Sequence, residues 1–456
     1  MMSLAEAARA VHGQLMGADA RFNGVSTDSR TLGRGALFVA IRGERFDGHA
    51  FLEAARERGA AGALVDGGHA GGATTLPVIV ADDTRRALGR LGGHWRDRFA
   101  PVLIAITGSN GKTTTKEMLA AILRAHAGEA AVLATRGNLN TDIGVPLTLL
   151  RLRRAHGWCA IELGMNHPGE IAALAAIAQP TIALVNNAQR EHLEFMHTVE
   201  AVAAENAAVF GALPPEGVAV INADDPHAEY FRAAAGGRRT VQFGLEARAE
   251  VSGRYALKPL ASEISLRTPA GETGATLAIP GLHNVRNALA AAACALAAGV
   301  PPEAIGRGLA AFRAAAGRLQ VLRIASGATV IDDSYNANPD SVRAAIDVLA
   351  AGAGPAVLVL GDMGEVGEQG ADFHLEVGRY AAERGIGELY ALGELTAHAV
   401  AGFGTGARHF ASLEDLIAAL QAPAASGATL LVKGSRFMRM ERVVAALTGN
   451  PAAEAR

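Results

Sequence analysis

The chain has 456 residues, 50% of them hydrophobic and 19% charged, with a formal net charge of −3 at pH 7. That length suggests about three domains, and so much apolar material excludes a mainly disordered chain. The near-neutral charge excludes an electrostatic case for nucleic acid or an anionic membrane, and the longest apolar stretch, 288–300, falls well short of the ~20 residues of a membrane span.

In chain order, residues 1–15 read as an amphipathic helix carrying Glu6 and Arg9, not as a signal peptide. Short apolar runs at 36–41, 62–65 and 78–80, with helix-like stretches between them, make a small α/β unit over 1–98. A second unit, 99–315, opens with the wholly apolar run VLIAIT and a glycine-rich turn, as buried parallel strands do. Further runs at 159–161, 181–185 and 218–221 alternate with alanine-rich segments long enough for helices. That alternation implies βαβ crossovers and a doubly wound sheet. Residues 248–279 break the rhythm and read as an antiparallel patch, and 281–298 read as one alanine-rich helix. A third α/β unit, 316–456, has strand signals at 329–331, 356–360, 388–391 and 429–432. Cys159 and Cys294, the two cysteines, stand in apolar surroundings and read as reduced, buried thiols of a cytoplasmic protein. No exposed apolar stripe is evident, so a monomer is the default expectation.

Polar clusters fall just past the expected strand ends, at 107–115, Glu162, 186–192, 332–338, Asp362 and 433–436. Open parallel sheets bind ligands at that edge, which predicts one site shared by the second and third units. The first cluster is Thr107-Gly108-Ser109-Asn110-Gly111-Lys112-Thr113-Thr114. Its glycines let the backbone approach a polyphosphate, whose charge the first-turn N–H groups and the helix dipole hold. Lys112 is placed to neutralise the terminal phosphates and the Thr113 hydroxyl to ligate Mg²⁺. Only four of the 42 basic residues are lysine, which makes Lys112 stand out. The longer G-x-x-x-x-G-K-T pattern is incomplete, because Ile106 occupies its first glycine, and an ordinary strand–turn–helix is the competing reading.

Glu162 ends the next apolar run, where a magnesium ligand is needed beside a phosphate loop, unless it is a solvated strand end. His192 closes a polar run after a further strand. A lone histidine is more often structural than a ligand, and only its place at the same sheet edge favours a function. His283 and Asn287, one turn apart on a helix face, could meet one ligand such as an adenine ring, or Asn284 could simply cap that helix. In the dense loop 332–339, capping explains Asn338 or Asp340 but not the remaining polar residues. Ser26 to Arg30 alone reads as a turn.

These motifs, in this order, resemble the Mur ligases, ATP-dependent amide-forming enzymes of peptidoglycan precursor synthesis, over essentially the whole chain. TGSNGKTTT matches the family's phosphate loop, and IELGMNHPGEI, NNAQREHLE, GLHNVRNALAA, GRLQ and IDDSYNANPDSV match its later blocks. The block 333–339 followed by VLGDMGE is most similar to the members that add D-alanyl-D-alanine. The D-N-P-R string usual in diaminopimelate-adding relatives does not occur. Ser26 to Arg30 with Asp47-Gly48-His49 resembles a uridine-binding first domain.

The resemblance implies a three-domain α/β architecture. It has a small N-terminal uridine-binding domain, a central P-loop ATPase-like parallel-sheet domain and a C-terminal Rossmann-like domain. It implies that ATP phosphorylates the terminal carboxylate of UDP-N-acetylmuramoyl-tripeptide and that the amine of D-alanyl-D-alanine then displaces the phosphate. Carried over by motif, Lys112 contacts phosphate, Thr113 and Glu162 hold the first Mg²⁺, and His192 approaches a second. Asn287 meets the adenine, and Arg318 and Asp333 reach the nucleotide from the third domain. Ser29 sits near the uracil, Asn140 and Thr141 near the substrate's sugar or diphosphate, and Asn336 and Asn338 near the incoming dipeptide. Many members carry a carbamylated lysine 14 residues after the histidine. That position is Asn206 here, whose side-chain carbonyl is then expected to help His192, substrate oxygens and water with the second Mg²⁺. A ligase adding diaminopimelate, lysine or glutamate and, from another class, an NTP-hydrolysing switch are the alternatives.

Overall fold

The structure is a computed structural model that describes residues 1–43, 46–69, 75–352 and 354–449. Among the described residues four sheets follow one another in chain order. The first contains β1 (Gln14–Met16), β2 (Val25–Ser26), β3 (Leu37–Val39), β4 (Gly62–Asp66) and β5 (Val78–Ala81), in the order β1-β5-β4-β3-β2. It is parallel except where β1 runs against β5. Ser3 caps helix α1 (Leu4–Ala10) by accepting from the Glu6 N–H, and the buried Leu4, Ala7 and Ala8 face inward.

The second sheet contains β6 (Val102–Thr107), β7 (Val132–Ala134), β8 (Trp158–Glu162), β9 (Ile182–Val185), β10 (Val218–Asn222) and β11 (Arg239–Phe243). It is wholly parallel, in the order β11-β10-β9-β6-β8-β7. The order reverses at β6, which has β8 on one side and β9 on the other. The C-terminal end of β6 is therefore the crevice where such a sheet binds a ligand. Helix α2 (Lys112–Ala127) leaves from that end, α3 (Glu170–Ala178) follows β8, and α4 (Val199–Ala207) follows β9.

The third sheet is an antiparallel meander of β12 (Ser252–Lys258), β13 (Ala261–Thr268) and β14 (Gly271–Leu277). β13 alternates buried and exposed residues, the pattern of a strand with one wet face. Helix α5 (Leu282–Ala297) has eleven buried residues, six of them alanine, and so serves as a central helix. Next to it, α6 (Pro302–Ala311) lies so close to α2 that a Cβ on Gly308 would fall 2.3 Å from the Ile122 Cα.

The fourth sheet contains β15 (Gln320–Arg323), β16 (Thr329–Asp333), β17 (Ala356–Gly361), β18 (Glu388–Leu392), β19 (Ala407–Phe410) and β20 (Thr429–Lys433), in the order β15-β16-β20-β17-β18-β19. Only β15 is antiparallel. Because β20 inserts between β16 and β17, this sheet has its own order reversal there. Helix α7 (Pro339–Ala350) starts with a capping box, Asn338 and Ser341 bonding each other's backbone. One hydrophobic core joins the second sheet, α5 and the third domain, and another joins the first domain to the opposite face of the second sheet. Among the described residues no helix is long and apolar enough to cross a membrane.

Candidate functional site

The loop after β6 uses two glycines that no other residue could replace without strain, Gly108 at φ +126° and Gly111 at φ +81°. A Cβ on Gly111 would lie 2.2 Å from Asn287 Oδ1, so loop and α5 touch. Segment 186–189, leaving the neighbouring β9, grips the loop from the other side. The Asn110 N–H donates to Asn187 Oδ1 (2.8 Å), and the Ser109 hydroxyl accepts from the Gln189 N–H (2.9 Å). Asn186 Nδ2 donates both to the Asn110 carbonyl (2.7 Å) and to Asn287 Oδ1 (3.0 Å). Asn284 does not cap α5. Its amide donates to the Pro280 carbonyl and accepts from Asn287, and Gly281 holds the cap position.

Asn206 corrects the expectation placed on it. It is fully buried on α4, and its Oδ1 accepts from the Thr107 hydroxyl (2.5 Å) and the Gly108 N–H (2.8 Å). The side-chain carbonyl is thus turned to the root of the phosphate loop and taken there, not presented to a cation. Its neighbour Glu205 caps α3 by accepting from the Gly169 and Ile171 N–H groups.

Lys112 Nζ donates to the Gly108 and Ser109 carbonyls and to Glu191 Oε1 (2.6, 3.0 and 3.0 Å). Burial would raise the Glu191 pKa, yet the Lys112 ammonium and His192 hold the carboxyl below its ordinary value. Burial would likewise lower His192, but Glu191 and Glu365 raise it to about 9. Glu365 comes from the third domain, with its Oε2 2.6 Å from His192 Nδ1. Both His192 (φ 52°) and Glu365 (φ 59°) hold left-handed backbone, a strain that clusters at functional sites.

Glu162, 2% exposed, accepts on Oε1 from the Thr113 hydroxyl (3.1 Å) and Asn140 Nδ2 (2.8 Å). Its Oε2 is buried with no hydrogen-bond partner. An orphaned carboxylate oxygen beside a threonine hydroxyl is the hard-oxygen donor set a divalent cation takes. The Glu162 backbone is fixed in turn, since its N–H donates to Thr135 Oγ1 (3.0 Å) and the Thr135 carbonyl accepts from the fully buried Lys116 (2.8 Å).

The third domain closes the other side of a cleft of about 1210 Å³. Arg318 Nη2 lies 3.4 Å from Thr113 Oγ1 and stacks over Tyr335, 4.0 Å from the ring centre. Asp333 accepts from the Leu319 N–H (3.2 Å) and from Lys433 Nζ (2.5 Å). Asn338 Nδ2 donates to Asn110 Oδ1 across the cleft (2.9 Å) while its Oδ1 caps α7. Arg190 bridges the domains more strongly, pairing with Asp340 (2.6 Å) and Glu376 (2.7 Å).

Ser109 to Thr114, Asn140, Thr141, Glu162, His192, Asn287, Arg318, Asp333, Asn336 and Asn338 all line this cleft. Thr107 and Gly108 lie beneath it, held by Asn206. Ser29 is buried in the first domain and does not line it. Glu191, Arg190 and Glu365 escaped selection from the sequence. The first two stand inside the NNAQREHLE run, so adjacency to His192 was the available signal, whereas the link between Glu365 and His192 exists only once two domains meet.

Three family models match the chain, described as the Mur ligase family catalytic domain over residues 21–96, the Mur ligase middle domain over 106–295 and the Mur ligase glutamate ligase domain over 317–436. The UDP-N-acetylmuramoyl-tripeptide--D-alanyl-D-alanine ligase of Escherichia coli (strain K12) is 40% identical over 453 residues, covering 98% of this chain and 99% of the relative. A crystal structure of MurF from Acinetobacter baumannii superposes with a TM-score of 0.90 at 36% identity, covering 98% of both chains. MurF from Thermotoga maritima, solved in complex with ADP, gives 0.82 at 25% identity, covering 94% of this chain and 97% of that one.

Proposed function

Because the chain belongs to the Mur ligase family, we propose that it joins D-alanyl-D-alanine to UDP-N-acetylmuramoyl-tripeptide at the expense of ATP, giving the UDP-linked pentapeptide of peptidoglycan synthesis. The observation that carries the reading is the cleft itself. A phosphate loop and an orphaned carboxylate on one domain face a polar loop on another, with Arg318 3.4 Å from Thr113.

A carboxylate is a poor electrophile until one of its oxygens carries phosphate. In the first step the tripeptide carboxylate oxygen bonds to the γ-phosphorus of ATP and ADP leaves. In the second the neutral amine nitrogen of the dipeptide bonds to the acyl carbon, phosphate leaves with the former carboxylate oxygen, and the nitrogen gives up one proton and keeps the other as the amide N–H. Both partners of the first step are anions, so cations must neutralise their repulsion. Lys112 serves this by exchanging Glu191 and the two loop carbonyls for phosphate oxygens. The N–H groups from Gly111 to Thr114, at the start of α2, hold the remaining charge. Thr113 and Glu162 would hold a first Mg²⁺, and His192, which lines the same cleft, would approach a second. Bound there, these ions would supply charge neutralisation at the transferring phosphoryl group.

Asn287 lies against the loop at the start of α5, the side on which the adenine would sit, while Arg318 and Asp333 meet the nucleotide from the third domain. Asn140 and Thr141 serve the sugar or diphosphate of the long substrate, and Ser29 its uracil, in a first domain spanning 1–98. The central domain then spans 99–315 and the C-terminal one 316–456. Asn336, at the cleft wall, serves the dipeptide. Asn338 acts through its cap and its bond to Asn110. Closure of the two walls excludes water from the acyl phosphate. The enzyme acts as a cytoplasmic monomer.

Phosphate release from ATP with UDP-N-acetylmuramoyl-tripeptide tests the reading, with D-alanyl-D-alanine, diaminopimelate, lysine or glutamate added separately. Release with D-alanyl-D-alanine alone, together with a pentapeptide product by mass, is expected. Release with another amine would overturn the substrate, and release with no amine would overturn the ligase reading.

A further inference from the structure

The third domain carries its own strand-order reversal, where β20 sits between β16 and β17, and the loops leaving those three strands build its wall of the cleft. Ser435 stitches them together. Its N–H donates to the Asp362 carbonyl (3.0 Å), and its hydroxyl accepts from the Gly364 N–H (2.7 Å) and donates to the Ala337 carbonyl (3.1 Å). This wall contributes three cations to the cleft, Arg318, Lys433 and Arg436. Arg318 turns toward the phosphate loop, and the buried Lys433 is committed to Asp333 and the Asn336 carbonyl. Arg436, the third, keeps its side chain 42% exposed. It is steadied by Glu441 at 3.0 Å, and its guanidinium lies 5.8 Å from the centre of the Tyr335 ring.

The next residue, Phe437, is the most exposed large hydrophobic among the described residues at 63%, and it lines the same cleft. Its ring covers Gly364, where a Cβ would come within 2.7 Å of it. Glu365 follows and reaches His192 at the reaction centre. The wall is thus polar in a definite sense, with a carboxylate at the inner end, a guanidinium on the adjoining loop and aromatic rings beside it. A dipeptide with a free amine, a free carboxylate and two methyl side chains has the complementary pattern. Its ammonium points toward the acyl group, and its carboxylate needs a cation once desolvated.

We propose that Arg436 sets specificity for the incoming dipeptide by binding its free carboxylate, with Tyr335 and Phe437 walling the methyl groups. The proposal rests on the ligase reading above. The planar fork of arginine suits a carboxylate in two-point contact in a way that a lysine would not.

Steady-state rates on D-alanyl-D-alanine and on its C-terminal amide test it in the full-length protein. The unsubstituted chain should favour the acid about a hundredfold in kcat/KM, the scale of a desolvated charge pair. Arg436→Gln should lose nearly all of that preference while the KM values for ATP and the UDP-tripeptide stay within about twofold. Its rate on the amide should match that of the unsubstituted chain, which also shows that the variant folds. Arg436→Lys, keeping charge without the fork, should show an intermediate preference. An unchanged acid-to-amide ratio in Arg436→Gln would overturn the assignment, as would an unsubstituted chain indifferent to the amide. Failure of the unsubstituted chain to use any dipeptide would instead overturn the ligase reading.

Discussion

Glu162 shows how much of a site one side chain can declare. One oxygen is held by Thr113 and Asn140, and the other is buried without a partner, an arrangement that costs free energy unless a cation completes it. Glu162→Gln keeps the shape and removes the charge. It should lower kcat by about two to three orders of magnitude and weaken Mn²⁺ binding in the presence of a non-hydrolysable ATP analogue, read by electron paramagnetic resonance. Unchanged Mn²⁺ binding would remove Glu162 from the cation site. Lys112, Thr113 and Glu162 were legible because strand, turn and helix are local and chemistry sits at fixed offsets from them. Glu365 was not, since its meaning depends on a histidine 173 positions earlier in the chain. Asn206 was legible as a position and misread as a role. Sequence spacing placed it on the right helix, and only packing shows that its carbonyl faces the loop root.

At the scale of elements, the contact between α2 and α6 decides how firmly the phosphate loop is backed. Gly308→Ala should gain up to about 1 kcal/mol in helix propensity. Against that, the new Cβ would meet the Ile122 Cα and N at 2.3 and 2.6 Å, backbone atoms that cannot rotate away. Overpacking of about 1–3 kcal/mol should win, and the first thermal unfolding transition should fall by several degrees. A rise would show that the helices part easily. The buried strands β6, β8, β9 and β10 and the helix α5 could be read from composition, as could the antiparallel meander. The short strand β7 and the edge strands β11, β15 and β19 could not. β15 is half exposed, and β19 carries Arg408 and His409, so neither shows an apolar run or a clean alternation.

At the scale of the molecule, the cleft exists because the third domain is held down on the second. Arg190 is one strap, its side chain 23% exposed and shared between Asp340 and Glu376. Because it lies two residues from His192 and one from Gln189, which bonds the phosphate loop, closure and loop geometry are mechanically joined. Arg190→Gln should enlarge the radius of gyration measured by X-ray scattering and lower kcat. A double-mutant cycle with Asp340→Asn should return a coupling of about 1–3 kcal/mol, and additive effects would show that the strap does not hold the domains. The buried amide of Asn206, bonded to Thr107 and Gly108, also settles a question of supply. A lysine at that place would capture dissolved carbon dioxide and make turnover follow the bicarbonate in the medium, whereas an amide has no nucleophilic nitrogen to offer. Rates in degassed and in bicarbonate-supplemented buffer at one pH should therefore coincide, leaving an enzyme whose pace does not register the gas around the cell.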